Sequence, residues 1–283
     1  MSKRKDLVKK ARGKGLPSLH FDVSTGLKRV LGRELITKDE VAIFELVKNS
    51  FDAGASTVHI HFGEDSIVIA DNGSGMSYED LIDKWLRVAY SSKRAKATHK
   101  DFRDVVAQRG HYAGSKGIGR FSSDRISEEI ILQTRAKNQG AGVVQKLTVD
   151  WNRFERDDKE RFEKVPVKHE EAMVFQLPNE LKKFGEKLKH GTVIELRKLR
   201  GKWDRDALVG LKSSLAKLIN PFGVETDSFS IYISAPAETS EDKKASTKAT
   251  KTGEEPSSRD IVNGRVGNRL SDKLMSSPTG SCW

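Results

Sequence analysis

The chain has 283 residues, of which 36% are hydrophobic and 32% are charged, a balance that predicts a globular protein with some disordered segments. We expect no membrane contact and no secretory signal, because no apolar run approaches the roughly 18 residues of a membrane span and the basic N-terminus has no apolar stretch behind it. The single cysteine, Cys282, argues against a disulfide framework or a cysteine-based zinc site, so we predict a cytoplasmic location. The formal net charge of +11 suits either a phosphate-rich partner such as nucleic acid or a soluble basic surface.

The N-terminal region is predicted to be a flexible arm followed by two helices. Residues 1–20 are polar and basic and form the arm, and Ser24–Leu35 is expected to be a short helix. Thr37 and Glu40 match the pattern in which a threonine opens a helix and a glutamate three residues later caps it in return, ahead of an apolar run. We therefore predict a helix from Thr37 to about Ala53.

A β-hairpin and a further helix are predicted next. Thr57–Phe62 alternates apolar and polar residues, and Ser66–Ala70 is a short apolar run that follows a turn. His59 and His61 would then lie on the outer face of the first strand, as surface residues and not as metal ligands. Ser77 is expected to cap the helix that begins after it.

The second half of the chain is predicted to begin with a loop and to continue mainly as strands. Ser91–Ala113 has little apolar periodicity and many cations, which is typical of a loop that is either functional or disordered. One helix, Asp204–Leu218, interrupts the strands, and residues 236–283 are polar enough to predict a disordered tail. The predicted strands are Glu129–Arg135, Val143–Val149, Ala172–Leu177, Thr192–Leu199 and Phe229–Ile233.

Three polar residues form a narrow stripe on the helix that starts at Thr37. At about 100° per residue, Glu45, Asn49 and Asp52 fall within roughly 60° of one another, and apolar residues occupy the other side. Such a stripe is commonly the solvated face of an amphipathic helix. Short acidic and amide groups, without the usual mixture of lysine and glutamate, also suit a binding site, and both interpretations stay open on this stripe alone.

A second unusual element follows the hairpin, where Asp71 ends an apolar strand and two glycines, Gly73 and Gly75, precede Met76. Asparagine followed by glycine is a common turn sequence, so a simple turn is one interpretation. The chain continues into a helix, however, and a glycine pair there lets a backbone approach a flat group closely. A carboxylate at the end of an apolar strand can accept hydrogen bonds from an exocyclic amine, so Asp71 is a candidate specificity residue.

The third element matches a phosphate site, and the fourth lies at the start of a strand; each is a weak signal when taken alone. Gly114, Gly117 and Gly119 lead into a predicted helix, where free backbone N–H groups can bind phosphate. Their spacing is neither that of the common phosphate loop nor that of the dinucleotide fingerprint. Gly191 and Thr192 start a strand, which an ordinary turn would also explain.

The order and spacing of the four elements resemble one family. Four segments are similar to the successive boxes of the GHKL (Bergerat-fold) ATPases. They are Glu45-Leu-Val-Lys-Asn-Ser-Phe-Asp-Ala, Asp71-Asn-Gly-Ser-Gly-Met, Tyr112-Ala-Gly-Ser-Lys-Gly-Ile-Gly-Arg-Phe-Ser and Gly191-Thr-Val-Ile-Glu. That superfamily includes gyrase B, heat-shock chaperones, histidine kinases and MutL. The resemblance covers about Thr37 to Leu199.

The resemblance implies a role for each matching residue. Asn49 would coordinate Mg²⁺, and Glu45, one turn earlier, would orient and deprotonate the attacking water. Asp71 would bind the adenine amine, with Thr192 supporting it through water, and Met76 would pack on the base. Asp52 would tie the helix to the Asp71 region. The remaining predicted ligand residues are Gly73 and Gly75, which would admit the base, Gly114, Lys116, Gly117, Ile118 and Gly119, which would hold the phosphates, and Ser92 and Lys93 in the lid.

The acidic residue at Glu45 separates two branches, because histidine kinases of the superfamily carry Asn at this position. The chain therefore resembles the hydrolysing branch, which comprises the gyrase, MutL, chaperone and Morc-like ATPases. Its long basic lid and its glycine loop resemble those of the chaperone and Morc-like members most. Those enzymes usually receive a cation at the γ-phosphate from a second domain. Here Lys93, Lys116 or a partner are the candidates.

Together these observations predict an α/β two-layer sandwich with a mixed, mostly antiparallel sheet and helices on one face. An ATP-binding domain would occupy residues 21–235, with residues 91–119 as its lid. The resemblance implies binding and slow hydrolysis of Mg-ATP, lid closure and an ATP-dependent homodimer. The alternative is a nucleotide-gated module with little turnover that binds nucleic acid through its basic arm, lid and tail.

Overall fold

The computed structural model describes residues 23–87, 119–139, 142–157, 159–219, 229–252 and 261–267. The described residues form an eight-stranded sheet in the order β5-β4-β3-β6-β2-β1-β7-β8. All neighbouring strands run antiparallel except the parallel pair β1 and β7. The strands are β1 Thr57–Phe62, β2 Ser66–Asp71, β3 Ser127–Arg135, β4 Val144–Asp150, β5 Lys168–Ala172, β6 Gly191–Leu199, β7 Ser230–Ser234 and β8 Gly264–Arg265.

Helices of very different length accompany the sheet. Two of them continue as a wider helical turn, α1 through Val30–Glu34 and α3 through Leu81–Trp85. The helices are α1 Leu27–Arg29, α2 Asp39–Asp52, α3 Tyr78–Asp80, α4 Ser122–Ile126, α5 Lys182–Gly185, α6 Arg205–Leu215 and α7 Thr239–Thr252. Single tight turns are Gly119–Phe121, Lys137–Gln139, Trp151–Glu155, Phe162–Lys164, Asn179–Leu181, Ala216–Leu218 and Pro236–Glu238.

The main core lies between one face of the sheet and helices α2 and α6. Their apolar stripes are buried against alternate residues of the central strands, as period-3.6 and period-2 patterns require. The buried residues include Ile43, Leu46 and Val47 of α2, Leu208, Leu211 and Leu215 of α6, and Val58, Ile60, Ile67, Ile69 and Leu196 of the sheet. The predicted two-layer α/β sandwich with a mixed, mostly antiparallel sheet is thus confirmed.

The opposite face of the central strands is also covered in part, which overturns the prediction that His59 and His61 are surface residues. A smaller apolar cluster joins Val68 to the segment around α5. The His59 ring stacks on that of Tyr232, with centroids 4.9 Å apart, and contacts Phe184 on its other side. His61 is buried and lies 3.2 Å from the Ser234 hydroxyl. Alternation within one strand cannot reveal that a distant segment packs over its outer face.

Two local predictions are wrong in detail. Helix α2 begins after Lys38, and no side chain caps it, so Thr37 is not the capping residue. The strand expected at Ala172–Leu177 lies earlier, at Lys168–Ala172, where it pairs with β4. The prediction for Ser77 is correct, because its hydroxyl accepts a hydrogen bond from the Asp80 N–H and Asp80 caps it in return.

The segment after Pro236 differs most from expectation, because helix α7 and strand β8 fall within the predicted disordered tail. Asp242 of α7 accepts hydrogen bonds from the backbone N–H groups of Val262 (2.9 Å) and Asn263 (2.8 Å). Val262 and Val266 are buried in the main core. A few apolar residues and one carboxylate therefore hold a segment whose composition alone suggests disorder.

A buried ion cluster fixes the N-terminal helix α1 against the body of the domain. Lys28 is completely buried, and its Nζ lies 2.9 Å from Asp124 of α4 and 2.5 Å from Glu155. Arg33 contacts both carboxylates, and Arg200 also reaches Asp124. Each charge buried in this cluster thus has opposite charges beside it, as burial requires.

Among the described residues, no helix is long and apolar enough to cross a membrane.

Candidate functional site

The strand register brings three polar residues side by side at one end of the sheet. Asp71, the last residue of β2, lies directly opposite Thr192 near the start of β6. On the other side of β6, Thr192 is opposite Thr134 of β3, and the two hydroxyl oxygens are 3.3 Å apart. Because β6 lies between β2 and β3, the chain places a carboxylate and two hydroxyls in one row.

Asp71 is a buried carboxylate, with 4% of its surface exposed. Its Oδ2 accepts a hydrogen bond from the Ser50 hydroxyl (2.8 Å), and its Oδ1 accepts one from the Gly73 N–H (2.8 Å). Burial raises the pKa of Asp71, and these two bonds, the Thr192 backbone and the nearby His190 only partly offset that rise. The carboxylate is therefore held in a fixed orientation by donors on helix α2 and in the following turn.

The turn after Asp71 is locked by backbone contacts with β3 and β6. Gly75 has a φ of +60°, and a Cβ at this position would collide with the Arg135 carbonyl and lie 2.9 Å from the Gly191 carbonyl oxygen. Gly75 is thus required by the packing of the protein itself. The sequence alone predicts only that this glycine admits the base of a ligand. The Met76 N–H donates to the Thr134 hydroxyl at 2.9 Å.

His190 adds a side-chain anchor to the same turn. Its Nδ1 lies 2.7 Å from the Gly73 carbonyl oxygen, which fits an Nδ1–H donor. The Met76 side chain joins an apolar cluster with Leu81, Leu132 and Leu147, and so forms part of a nonpolar wall next to Asp71's strand end. An apolar wall beside a fixed carboxylate suits recognition of a flat heterocycle that carries an amine.

Helix α2 carries the other predicted site residues on the element that also supplies Ser50. Glu45 is 2% exposed, although it is charged, while Asn49 and Asp52 are exposed. Asp52 forms an ion pair with Lys48 (3.1 Å), and it is Ser50 that links the helix to Asp71. Sequence reasoning missed Ser50 because it lies about 100° around the helix from Asn49, outside the predicted polar stripe.

The turn Gly119–Phe121 lies at the other end of α2. It leads directly into α4, where the Ser122 hydroxyl donates to the Ala42 carbonyl at 3.4 Å. Ala42 and Ser50 are eight residues apart, so the rise of an α-helix separates the two contacts by about 12 Å along its axis. The predicted residues Ser92, Lys93, Gly114, Lys116, Gly117 and Ile118 lie outside the described residues.

The donor set on α2 is compatible with Mg²⁺ bound mainly through a ligand. Mg²⁺ prefers oxygen donors, keeps several waters and needs few protein groups, and the Asn49 amide is exposed one turn after Glu45. The described residues contain no cluster of three or more histidine, cysteine or acidic side chains that could enclose a metal ion. A protein-only metal cage is thus not what the described part of the chain offers.

The fold and this end of the sheet define a two-layer α/β domain with a buried aspartate between a long helix and a glycine turn. Comparison with known proteins identifies its class. The family model of the histidine kinase-, DNA gyrase B- and HSP90-like ATPases matches residues 36–192, more than half of the chain. The chain belongs to this family, and membership supports ATP binding.

Relatives with different names are similar to part of the chain. The chain is 41% identical over 75 residues to HgiDII, a candidate type II restriction enzyme of Herpetosiphon aurantiacus. The matched segment covers 26% of the chain and 11% of the relative. It is 29% identical over 138 residues to the chaperone protein HtpG of Bacteroides fragilis, 43% of the chain and 19% of the relative. It is 30% identical over 156 residues to the mismatch repair endonuclease Pms1 of Dictyostelium discoideum, 54% of the chain and 14% of the relative. The matches thus span less than a fifth of each of these relatives.

Proposed function

We propose that the chain binds Mg-ATP between helix α2 and the end of strands β2 and β6, and hydrolyses it slowly. Family membership supports ATP as the ligand. The observation that carries the proposal is the buried Asp71 carboxylate, fixed by Ser50 and Gly73 on the helix and turn that also present Glu45, Asn49 and Met76. A charged group is buried only when the fold or a ligand gives it partners.

The adenine end of the site would be formed by Asp71, Thr192 and Met76. An ionised carboxylate has about four acceptor positions, and Ser50, Gly73 and the Thr192 backbone use only part of them, so Asp71 can accept a further bond from the exocyclic amine. Thr192, directly opposite Asp71 in the sheet, would hold a bridging water to the ring. Met76 would pack on the base, as its position in the apolar cluster suggests.

The phosphate end would lie towards the first half of α2, near the turn that starts at Gly119. Asn49 would ligate Mg²⁺, which neutralises phosphate charge when bound. Glu45, one turn nearer the N-terminus of α2, would accept the proton of the attacking water. Burial of Glu45 suits this role because a base shielded from bulk water interacts more strongly with a bound water.

Ser92, Lys93 and the residues from Gly114 to Gly119 would close over the phosphates. We further propose that closure favours a homodimer and that residues 1–20 contribute to it. These steps rest on the resemblance of the sequence motifs to the family. Analytical ultracentrifugation with and without a non-hydrolysable ATP analogue tests them, and a nucleotide-independent monomer would contradict the dimer.

A nucleic-acid partner is a second candidate, favoured by the net charge of +11 and by two relatives that are named as a restriction enzyme and a mismatch repair endonuclease. A basic surface binds polyanions with an affinity that falls steeply with salt. DNA binding measured at several salt concentrations, with and without ATP, tests this candidate. Binding that is absent at low salt would remove it.

The proposed hydrolysis is tested by phosphate release from wild type, Glu45→Gln and Glu40→Gln. Glu40 is a matched control because it lies on the same helix without a role in the site. We expect Glu45→Gln to lose at least about 100-fold in turnover while ATP affinity, measured by calorimetry, stays near the wild-type value. Equal turnover in all three proteins would overturn the assignment of the base.

A further inference from the structure

Arg120 is a partly buried arginine with an unusual environment. It follows Gly119 in the tight turn before α4, and its guanidinium carbon lies 5.8 Å from the centre of the Trp85 ring. Its Nη1 is buried, and no described residue accepts a hydrogen bond from it. Burial lowers the pKa of Arg120 to about 10, which reflects the loss of water around its charge.

Several other arginines of the domain with partly buried side chains are paired with carboxylates, and Arg135 donates to two backbone carbonyls. Arg33 and Arg200 contact Asp124, and Arg205 contacts both Glu238 and Asp242. A ring face offsets only part of the cost of removing a guanidinium from water. Arg120 is therefore poised to gain from an anion that is not part of the described protein.

Arg120 belongs to the turn Gly119–Phe121, next to which the proposed function places the phosphates. The next helix, α4, contacts the first half of α2 through Ser122 and Ala42. Trp85, on which the guanidinium lies, shares an apolar cluster with Met76. The guanidinium thus lies over Trp85 in the helical segment that follows Met76, while its backbone belongs to the turn Gly119–Phe121.

We propose that Arg120 binds the β- and γ-phosphates of the nucleotide, with its planar fork directed by the Trp85 ring. This inference rests on the proposed function and deepens it, because it names a cation for the terminal phosphates within the described part of the chain. Arginine suits the task, since its fork matches two phosphate oxygens at once and stacks on an aromatic ring at the same time. It would stabilise the charge that the leaving phosphates carry.

The competing explanation is structural: Arg120 only holds the turn against Trp85. The two explanations differ in which part of the nucleotide they affect. A phosphate ligand changes the affinity for ATP and leaves that for AMP nearly unchanged, whereas a structural prop changes both by the same factor.

Calorimetric titrations of the full chain with ATP and with AMP, both in Mg²⁺, test the proposal. The variants are Arg120→Met, Arg120→Lys, and the control Arg197→Met, which removes the same charge from an exposed arginine paired with Glu195. We expect Arg120→Met to bind ATP at least about tenfold more weakly than the control and AMP within about twofold of it. Arg120→Lys keeps the charge without the planar fork, so its ATP affinity should lie between those of Arg120→Met and the control. This variant also provides the test if Arg120→Met does not fold.

Three results are decisive against these ideas. ATP affinity of Arg120→Met within about twofold of the control would overturn the phosphate role. Equal weakening of ATP and AMP would overturn it in favour of the structural role. A wild-type chain that binds no ATP would instead overturn the proposed function, and that outcome is visible before any variant is compared.

Discussion

The Ser50 hydroxyl donates a 2.8 Å hydrogen bond to Oδ2 of Asp71 and so joins the last turn of helix α2 to the end of strand β2. This bond connects two segments that are 21 residues apart in the chain. It couples the orientation of the buried carboxylate to the helix that carries Glu45 and Asn49. The relative position of the proposed adenine and phosphate contacts therefore depends on this one hydrogen bond, which we call the Ser50–Asp71 joint.

The first prediction concerns this joint. Ser50→Ala removes a donor from a buried carboxylate, so we expect the free energy of unfolding to fall by about 1–3 kcal/mol and ATP affinity to fall several-fold. Chemical denaturation and calorimetry measure the two effects. Ser56→Ala is the control, because Ser56 makes its hydrogen bond with Asn72 at an exposed edge of the same turn. Equal effects of both substitutions would contradict the importance of the joint.

The second prediction concerns pH. Burial raises the pKa of Asp71, and the adenine amine needs the ionised form, so ATP affinity should fall as the pH drops towards that raised pKa. Ser50→Ala removes a bond that favours the ionised form, and its affinity should begin to fall at a higher pH than that of wild type. Affinity ratios of the two proteins at each pH cancel the titration of ATP itself. A ratio that does not change with pH would exclude Asp71 as the titrating group.

The third prediction concerns the turn. Gly75→Ala places a side chain against the carbonyl groups of Arg135 and Gly191 in a left-handed backbone conformation, so we expect a loss of several kcal/mol of stability. Gly210→Ala, on the exposed side of α6 with nothing within 4 Å of the new Cβ, should instead stabilise the domain by about 0.5–1 kcal/mol. Thermal unfolding compares both with wild type. A Gly75→Ala protein as stable as wild type would contradict the described turn.

The fourth prediction concerns the buried ion cluster. Lys28→Met leaves Asp124 and Glu155 with only part of their opposite charge, and we expect it to cost about 3 kcal/mol. Lys244→Met breaks an exposed pair with Glu241 and should cost less than about 1 kcal/mol. Urea denaturation measures both. If the two losses were equal, Lys28 would not be the buried partner that the structure describes.

Much of the fold could be predicted from the sequence because its strongest patterns are local. The apolar stripe of α2, the hairpin β1–β2 and the strand that starts at Gly191 all follow from periodicity and turn residues. The family was also predictable, since four spaced motifs rarely occur together by chance, and the family model confirms it. The roles of the individual site residues stay predictions.

Features that depend on distant segments could not be predicted in the same way. The bond between Ser50 and Asp71 requires the helix to dock on the sheet in one register, and no single motif reports that register. Strand β8 adds only two residues to the sheet and relies on Asp242 to hold the return of the chain. The segment after Pro236 has a low apolar content and therefore resembles a disordered tail. The few residues that hold it in place, such as Asp242 and Val262, are too far apart in the chain to give a periodic pattern.

The buried Asp71 carboxylate is expected to destabilise the folded protein in the ionised form that the proposed adenine contact needs. Because its pKa is raised in the folded state, its contribution to stability is complete below the usual pKa of an aspartate and is lost as the pH rises through the raised value. Above that raised pKa the buried charge is therefore a cost to the folded protein. Asp71→Asn should unfold at the same temperature as wild type or at a higher one, even though it removes the central ligand of the site.

The most direct test of the account is a calorimetric comparison of ATP and GTP binding to wild type and Asp71→Asn in Mg²⁺. The carboxylate accepts from the amine of adenine and repels the carbonyl of guanine, so wild type should prefer ATP strongly. Asp71→Asn, which presents an amide donor, should lose at least about 100-fold in ATP affinity and most of the preference over GTP. Unchanged ATP affinity and unchanged preference in a folded Asp71→Asn protein would contradict the central claim that Asp71 recognises the base.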